Sequence, residues 1–158
     1  KEVQMRKALF DKYGVDTEFD WHVQKWGTKW EINMGDKQVD SNEDGTFNLF
    51  TTFNSAWSPP VAAFEALYEK YKDQGLTIHW EYFEPGAMFI GTVTARKGVY
   101  RDDYHDYKNA DELSKLIKML DHGLAEGEDE YLREQENSEE EESVEEEDDS
   151  SSSDEEAN

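Results

Sequence analysis

The chain has no cysteine among its 158 residues. That absence excludes disulfides, thiol nucleophiles, and zinc or iron–sulfur sites built on thiolates, and it suits a reducing compartment. Proline is scarce, with only three in the chain, so the breaks at Pro59, Pro60 and Pro85 stand out. No apolar run approaches the ~20 residues that cross a bilayer, and no signal-peptide pattern is visible. Basic residues are the other shortage. Sixteen Lys and Arg against 39 Asp and Glu leave a formal net charge of −23. Direct nucleic-acid binding needs a basic footprint that displaces phosphate counterions, and none stands out. Such a chain repels phosphate and anionic membrane and attracts basic partners. Several enzyme signatures are missing too: there is no G-x-G-x-x-G, P-loop, G-x-S-x-G or H-E-x-x-H.

What is present is unevenly placed. Residues 1–127 carry 15 Lys and Arg against 22 Asp and Glu, whereas residues 128–158 carry one arginine against 17 carboxylates. The aromatic residues, 13% of the chain, nearly all precede residue 110. This predicts a small aromatic-rich domain over residues 1–125 and a tail over 126–158. The tail is expected to be disordered, because its few apolar residues cannot offset the entropy of ordering it.

The chain is organised around Trp57-Ser58-Pro59-Pro60. A strand-like stretch, 46–53, precedes it, and an amphipathic helix follows, with Val61, Phe64, Leu67, Tyr68 and Tyr71 on one face. Ser58 is expected to be the N-cap of that helix and Pro59 its first residue. Upstream, residues 2–13 read as a helix with Val3, Arg6, Leu9, Phe10 and Tyr13 on one face, stopped by Gly14. Residues 17–25 read as a second helix, and 30–34 as a strand. The polar stretch 35–45 is expected to be a hairpin loop. Residues 76–83 alternate apolar and polar as a half-buried strand does. Pro85-Gly86 predicts a type II turn, with strands at 88–96 and 99–104 beyond it. Asn109 and Glu112 suggest a capping box for a helix over 109–120, whose buried stripe is Leu113, Leu116, Ile117 and Leu120. The order predicts an α+β class, an antiparallel sheet covered on one face by helices.

Three motifs stand in order: Trp26-Gly27-Thr28-Lys29-Trp30, then Thr52-Phe53-Asn54-Ser55-Ala56-Trp57-Ser58-Pro59-Pro60, then Tyr82-Phe83-Glu84-Pro85-Gly86-Ala87-Met88-Phe89-Ile90-Gly91. In these the chain resembles the Api92-like family, also described as carrying the ferredoxin-like domain of the plasmid protein YubB and found in bacteriophages and conjugative plasmids. The resemblance implies a split β-α-β, ferredoxin-like topology and carries no activity with it. Family members usually open on a strand rich in Asn and Cys that this chain lacks, so the first strand is expected to be missing or diverged here. The acidic tail is an addition to the family pattern.

Candidate sites are few. Asp40, Asn42 and Asp44, with Gly45, match the start of a calcium loop. However, its twelfth position is Thr51 rather than a bidentate Glu, so a plain polar turn competes and no metal or cofactor is expected. His22, His79, His105 and His122 have no metal-site spacing. Trp26, Trp30, Trp57 and Trp80 either anchor an interface or fill the core. The residues expected to carry an interaction are Lys29, Trp30, Trp57 and Glu84, with the tail carboxylates Glu139, Glu140, Glu141, Glu142, Glu145, Glu146, Glu147, Asp148 and Asp149. The expected function is a small non-enzymatic accessory protein of a phage or plasmid, in the bacterial cytoplasm. Its tail would lure a basic, nucleic-acid-binding protein, with no direct nucleic-acid or membrane binding, and its oligomeric state is open. Two other readings stay open: an enzyme using Lys29, Glu81 or Glu84 on the sheet face, and a structural domain with a merely solubilising tail.

Overall fold

The computed structural model describes residues 2–29 and 32–151. Among the described residues ten α-helices and β-strands follow one another: α1 (Glu2–Tyr13), α2 (Glu18–Trp26), β1 (Asn33–Ser41), β2 (Phe47–Asn54), α3 (Val61–Tyr71), β3 (Ile78–Glu84), β4 (Phe89–Arg96), β5 (Val99–Asp106), α4 (Ala110–Leu120) and α5 (Glu128–Ser151). The class is α+β. β1 and β2 pair antiparallel in a two-stranded sheet, and β3, β4 and β5 form a three-stranded sheet in chain order. Links as short as those between its strands join antiparallel neighbours. The chain clusters into two compact units. One holds the chain up to Ile78 together with Ala95–Tyr100; the other holds His79–Thr94 and the chain from Arg101.

In the first unit α1 stops at Gly14, whose φ of 77° suits the left-handed cap and whose N–H donates to the Phe10 carbonyl at 2.8 Å. No residue of α1 is buried, so the apolar face expected there lies open to solvent. Thr17 caps α2 by accepting from the Asp20 N–H at 3.1 Å. Buried His22 stacks on Trp26, with centroids 4.7 Å apart. The hairpin corrects the expected loop over 35–45: β1 runs to Ser41, and the turn is only residues 42–46, closed by the Asn42 N–H on the Thr46 carbonyl at 2.9 Å. Both faces of this arm are exposed over 34–41, so its sequence shows no apolar alternation to mark it as a strand. In α3, Tyr68 is fully buried. Its hydroxyl accepts from the Gly98 N–H at 2.7 Å, and the Tyr100 hydroxyl donates to the Val61 carbonyl at 3.0 Å.

In the second unit the β3–β4 turn is not type II. Gly86 stays out of the left-handed region, which Met88 enters instead with φ of 56°. The Glu84 carboxylate accepts from the Gly86 N–H at 3.0 Å and shapes the turn from its side chain. Asn109 caps α4 as expected, accepting from the Glu112 N–H at 2.9 Å. Glu112 reaches back to the Lys108 N–H, at 3.0 Å, rather than to that of Asn109. Leu113 of α4 is buried with Ile90, Tyr107 and Ala125, and Phe83, Leu116, Ile117, Leu120 and Leu132 pack round them.

The expected domain boundary at 125/126 falls too early. Ala125 is buried, Leu132 joins the core, Arg133 pairs with Asp111 at 2.9 Å, and the Glu136 carboxylate accepts from the Ala110 N–H at 3.1 Å. A helix N-terminus has orphan N–H groups and a partial positive charge, and Glu136 meets both needs for α4. Composition averaged over the tail hides these few contacts. Residues 152–158 lie outside the described residues.

Candidate functional site

The first two motifs form two corners that dock on each other. The Thr28 hydroxyl, buried, donates to the Ala56 carbonyl at 2.9 Å and accepts from the Ala56 N–H at 3.1 Å. The Ser58 hydroxyl donates to the Gly27 carbonyl, and the Ser55 hydroxyl donates to the Ser58 carbonyl at 2.9 Å. Gly27 holds φ of 79°, and a side chain there would meet Pro59 and Ala62. Ser58 is therefore a corner tie and not the expected N-cap. Pro60 takes the N-cap position of α3 without a side-chain bond, and the helix opens at Val61.

These ties leave Trp57 pointing outward. Its φ is 68°, which costs a bulky residue on the order of 1–2 kcal/mol, and it is 70% exposed. The Lys29 ammonium sits 4.0 Å from the centroid of its ring, a cation–π contact. The core-filling alternative fails for Trp57, while Trp26 and Trp80 are half-buried. Trp30 lies outside the described residues. Thr28→Val keeps the shape and removes both hydrogen bonds, leaving the Ala56 N–H and carbonyl buried without that partner. The expected loss is about 2–3 kcal/mol, read as a lower urea midpoint at unchanged slope.

The third motif builds an aromatic–carboxylate cluster on the three-stranded sheet. Tyr82 neighbours Trp80, Phe89 and Tyr104 with centroids 5.3, 6.1 and 6.5 Å away. A Cβ at Gly91 would overlap the Tyr82 ring, which explains glycine at that end of the motif. The Tyr82 hydroxyl donates to Asp102 and the Tyr104 hydroxyl to Asp106, each at 2.6 Å. On β5, Asp103 lies between Arg101 and His105, 3.1 Å from each. Burial, and then the bond to Asp102, push the Tyr82 phenol well above its ordinary value. The native state thus keeps a proton that the unfolded chain releases at a pH of about 10. The linked stability is whole below that pH and is lost as pH rises past it. Tyr82→Phe removes this coupling, so its urea midpoint should fall less steeply than the parent's above pH ~10.

The other expected residues have local roles. Glu84 shapes its turn. Asp40 accepts from the Gln38 amide at 3.2 Å on β1, and the Asn42 amide donates to the Thr46 hydroxyl at 2.8 Å. The Asp44 carboxyl is held below its usual value by the Thr46 hydroxyl and N–H, which both donate to its Oδ1 and so engage it in the turn. Among the described residues no three carboxylate or imidazole groups are placed to hold a metal. Glu81 accepts from the Leu124 N–H at 2.8 Å and lies 3.7 Å from both His79 and His122. A shallow depression of about 430 Å³ along α1, lined by Val3, Arg6, Lys7, Phe10 and Asp16, contains none of Lys29, Glu81 or Glu84. Glu139 is exposed on α5; the side chains of the remaining tail carboxylates lie outside the described residues. No described helix is long and apolar enough to cross a membrane.

Sequence reasoning missed His122. It is fully buried, its Nε2 lies 3.1 Å from the carbonyls of Tyr82 and Gly91, and its Nδ1 accepts from the Ala125 N–H at 3.2 Å. Only its place in Asp121-His122-Gly123, past the end of α4, hinted at a cap.

Residues 25–121 match the family model described as the ferredoxin-like domain in Api92-like protein, and this span contains all three motifs. No curated protein and no solved structure matches.

Proposed function

Because the chain belongs to the Api92-like family through its ferredoxin-like domain, we propose that it is a non-enzymatic interaction module of a phage or plasmid. It works in the bacterial cytoplasm and presents α5 to a basic, nucleic-acid-binding surface of a host or phage protein. The observation that carries this reading is the charge on α5. Its 24 residues include fourteen Asp and Glu against one Arg. At 1.5 Å per residue the helix is about 36 Å long, or about one negative charge per 2.6 Å of axis. Duplex DNA carries one per about 1.7 Å and a single strand one per about 3.4 Å. The charge spacing of the helix therefore falls between those of single-stranded and duplex nucleic acid, on a rod whose base is fixed to α4. Trp57 adds an exposed aromatic anchor of the kind interfaces use.

The test is capture from host lysate at low and high salt, with the full chain and with a chain ending at residue 139. That end point keeps Leu132, Arg133 and Glu136, so the domain is left intact. The expected result is a basic DNA- or RNA-handling protein held by the full chain alone and released by salt. Retention of the same partner by both forms at high salt would assign recognition to the folded domain and leave α5 as a solubilising arm.

A further inference from the structure

We propose that the free edge of β2 is a self-association surface, on which a second copy of this chain pairs its own β2 antiparallel across a two-fold axis. Among the described residues β2 pairs on one side only, with β1. The two strands of the hairpin offer different edges. β1 carries Asp36, Lys37 and Asp40 and is bulged between Met34 and Lys37. Charges and bulges are the usual means of keeping an edge from pairing. β2 is Phe47-Asn48-Leu49-Phe50-Thr51-Thr52-Phe53-Asn54, eight residues without charge, proline or glycine. Nothing blunts this edge. In a chain of net charge −23, it is also a place where two copies meet without setting like charges opposite each other.

Phe53, at the far end of β2, stacks on Phe64 of α3 with centroids 5.8 Å apart, but the half of the hairpin nearer the turn lacks cover. Val39, Phe47, Leu49 and Phe50 are 61%, 69%, 58% and 56% exposed. Two strands alone are marginal in water, and a second hairpin would make a four-stranded sheet. With Phe50 on the axis, Phe47 faces the partner's Phe53 and Leu49 faces the partner's Thr51, so aromatic and β-branched pairs form on one face. The three of these side chains on β2 itself, Phe47, Leu49 and Phe50, offer roughly 300–400 Å² per copy, taking 150–250 Å² for a whole aromatic side chain. Two copies with their strand backbones reach about 1,000 Å², the lower bound for a specific interface. A reversible dimer of modest affinity follows. It strengthens with salt, because screening reduces the repulsion between the chains. The salt response is thus opposite to that proposed for α5, and either reading can fail without the other.

The experiment is sedimentation equilibrium on the full chain from low to high micromolar, at physiological and high salt. A monomer–dimer equilibrium tightened by salt is expected. Phe50→Lys and Phe50→Glu should each weaken it at least about tenfold by placing like charges opposite each other, and mixing the two variants should restore it. The chain has no cysteine, so Phe50→Cys gives a single thiol. Under mild oxidation it should cross-link copies at least about tenfold faster than Asn42→Cys at the turn, since directly opposed Cβ atoms lie within disulfide reach. A monomer at every concentration, assembly that grows beyond the dimer, or equal cross-linking by the two thiols would overturn the proposal.

Discussion

His122→Ala is expected to lower folding stability by about 3–5 kcal/mol, a large share of the 5–15 kcal/mol that holds a typical domain. The side chain is fully buried and bridges three parts of the second unit. Its Nδ1 accepts from the Ala125 N–H at 3.2 Å, so that nitrogen carries the lone pair. Nε2 then carries the proton and shares it between the carbonyls of Tyr82 on β3 and Gly91 on β4, 3.1 Å from each. One ring thus ties the turn after α4 to two neighbouring strands. Alanine would leave a buried N–H and two carbonyls without this partner, each at about 1–3 kcal/mol before relaxation. It would also open a cavity, and large-to-small changes in cores cost about 2–5 kcal/mol by themselves. Partial collapse and water entry keep the total below the sum. Urea denaturation followed by circular dichroism measures it. His79→Ala, at an exposed position on the same sheet, is the control and should stay within about 0.5 kcal/mol of the parent. A His122→Ala loss no larger than the control's would mean that the ring is not the tie the geometry makes it.

His122 also shows where the sequence stops being legible. The 76–83 alternation and the Asn109 cap are local signals, and β3 and α4 stand where those signals put them. The docking of the two corners depends on Thr28 meeting Ala56, 28 residues away, and no local pattern encodes such a pair. Ser58 read as an N-cap because Ser before Pro-Pro usually is one; the Gly27 carbonyl, a long-range acceptor, took its hydroxyl instead. Residues 36–41 read as a loop because a strand with both faces exposed has no reason to alternate. The α5 base read as tail because three contacts, at Leu132, Arg133 and Glu136, cannot lift the composition of a segment dominated by Glu. Trp57 was legible as a corner residue, but its outward direction was not, since that follows from a backbone φ of 68° that the ties on either side impose. The chemistry-bearing residues thus divide simply. Most of those whose partners are within a few positions were readable, the Pro85-Gly86 turn shaped by Glu84 being the exception, and those held across the fold were not.

The second large effect is expected from charge, with shape held constant. Replacing Glu139, Glu140, Glu141, Glu142, Glu145, Glu146 and Glu147 by Gln removes seven of the fourteen carboxylates of α5 and changes no side-chain length. Glutamine is as good a helix former as glutamate, and removing like charges at i,i+4 spacing relieves repulsion. The helix should therefore persist or gain content, which circular dichroism verifies. Exposed ion pairs contribute about 0.2–1 kcal/mol each, so losing seven against a polycationic peptide should weaken binding by at least about tenfold and by as much as about a hundred-thousandfold. The dependence of log K on log salt should also flatten, because fewer counterions are released per complex. Titration of full chain and variant with oligolysine over a range of salt gives both numbers. An unchanged affinity with an unchanged salt slope would place the working charge elsewhere than on these seven residues. A matching loss of helix in the variant would instead mean that the rod, and not its charge, is what the partner reads. The expected combination is an intact helix with weaker and less salt-sensitive binding, which would tie the affinity to the charge on α5 and not to its shape.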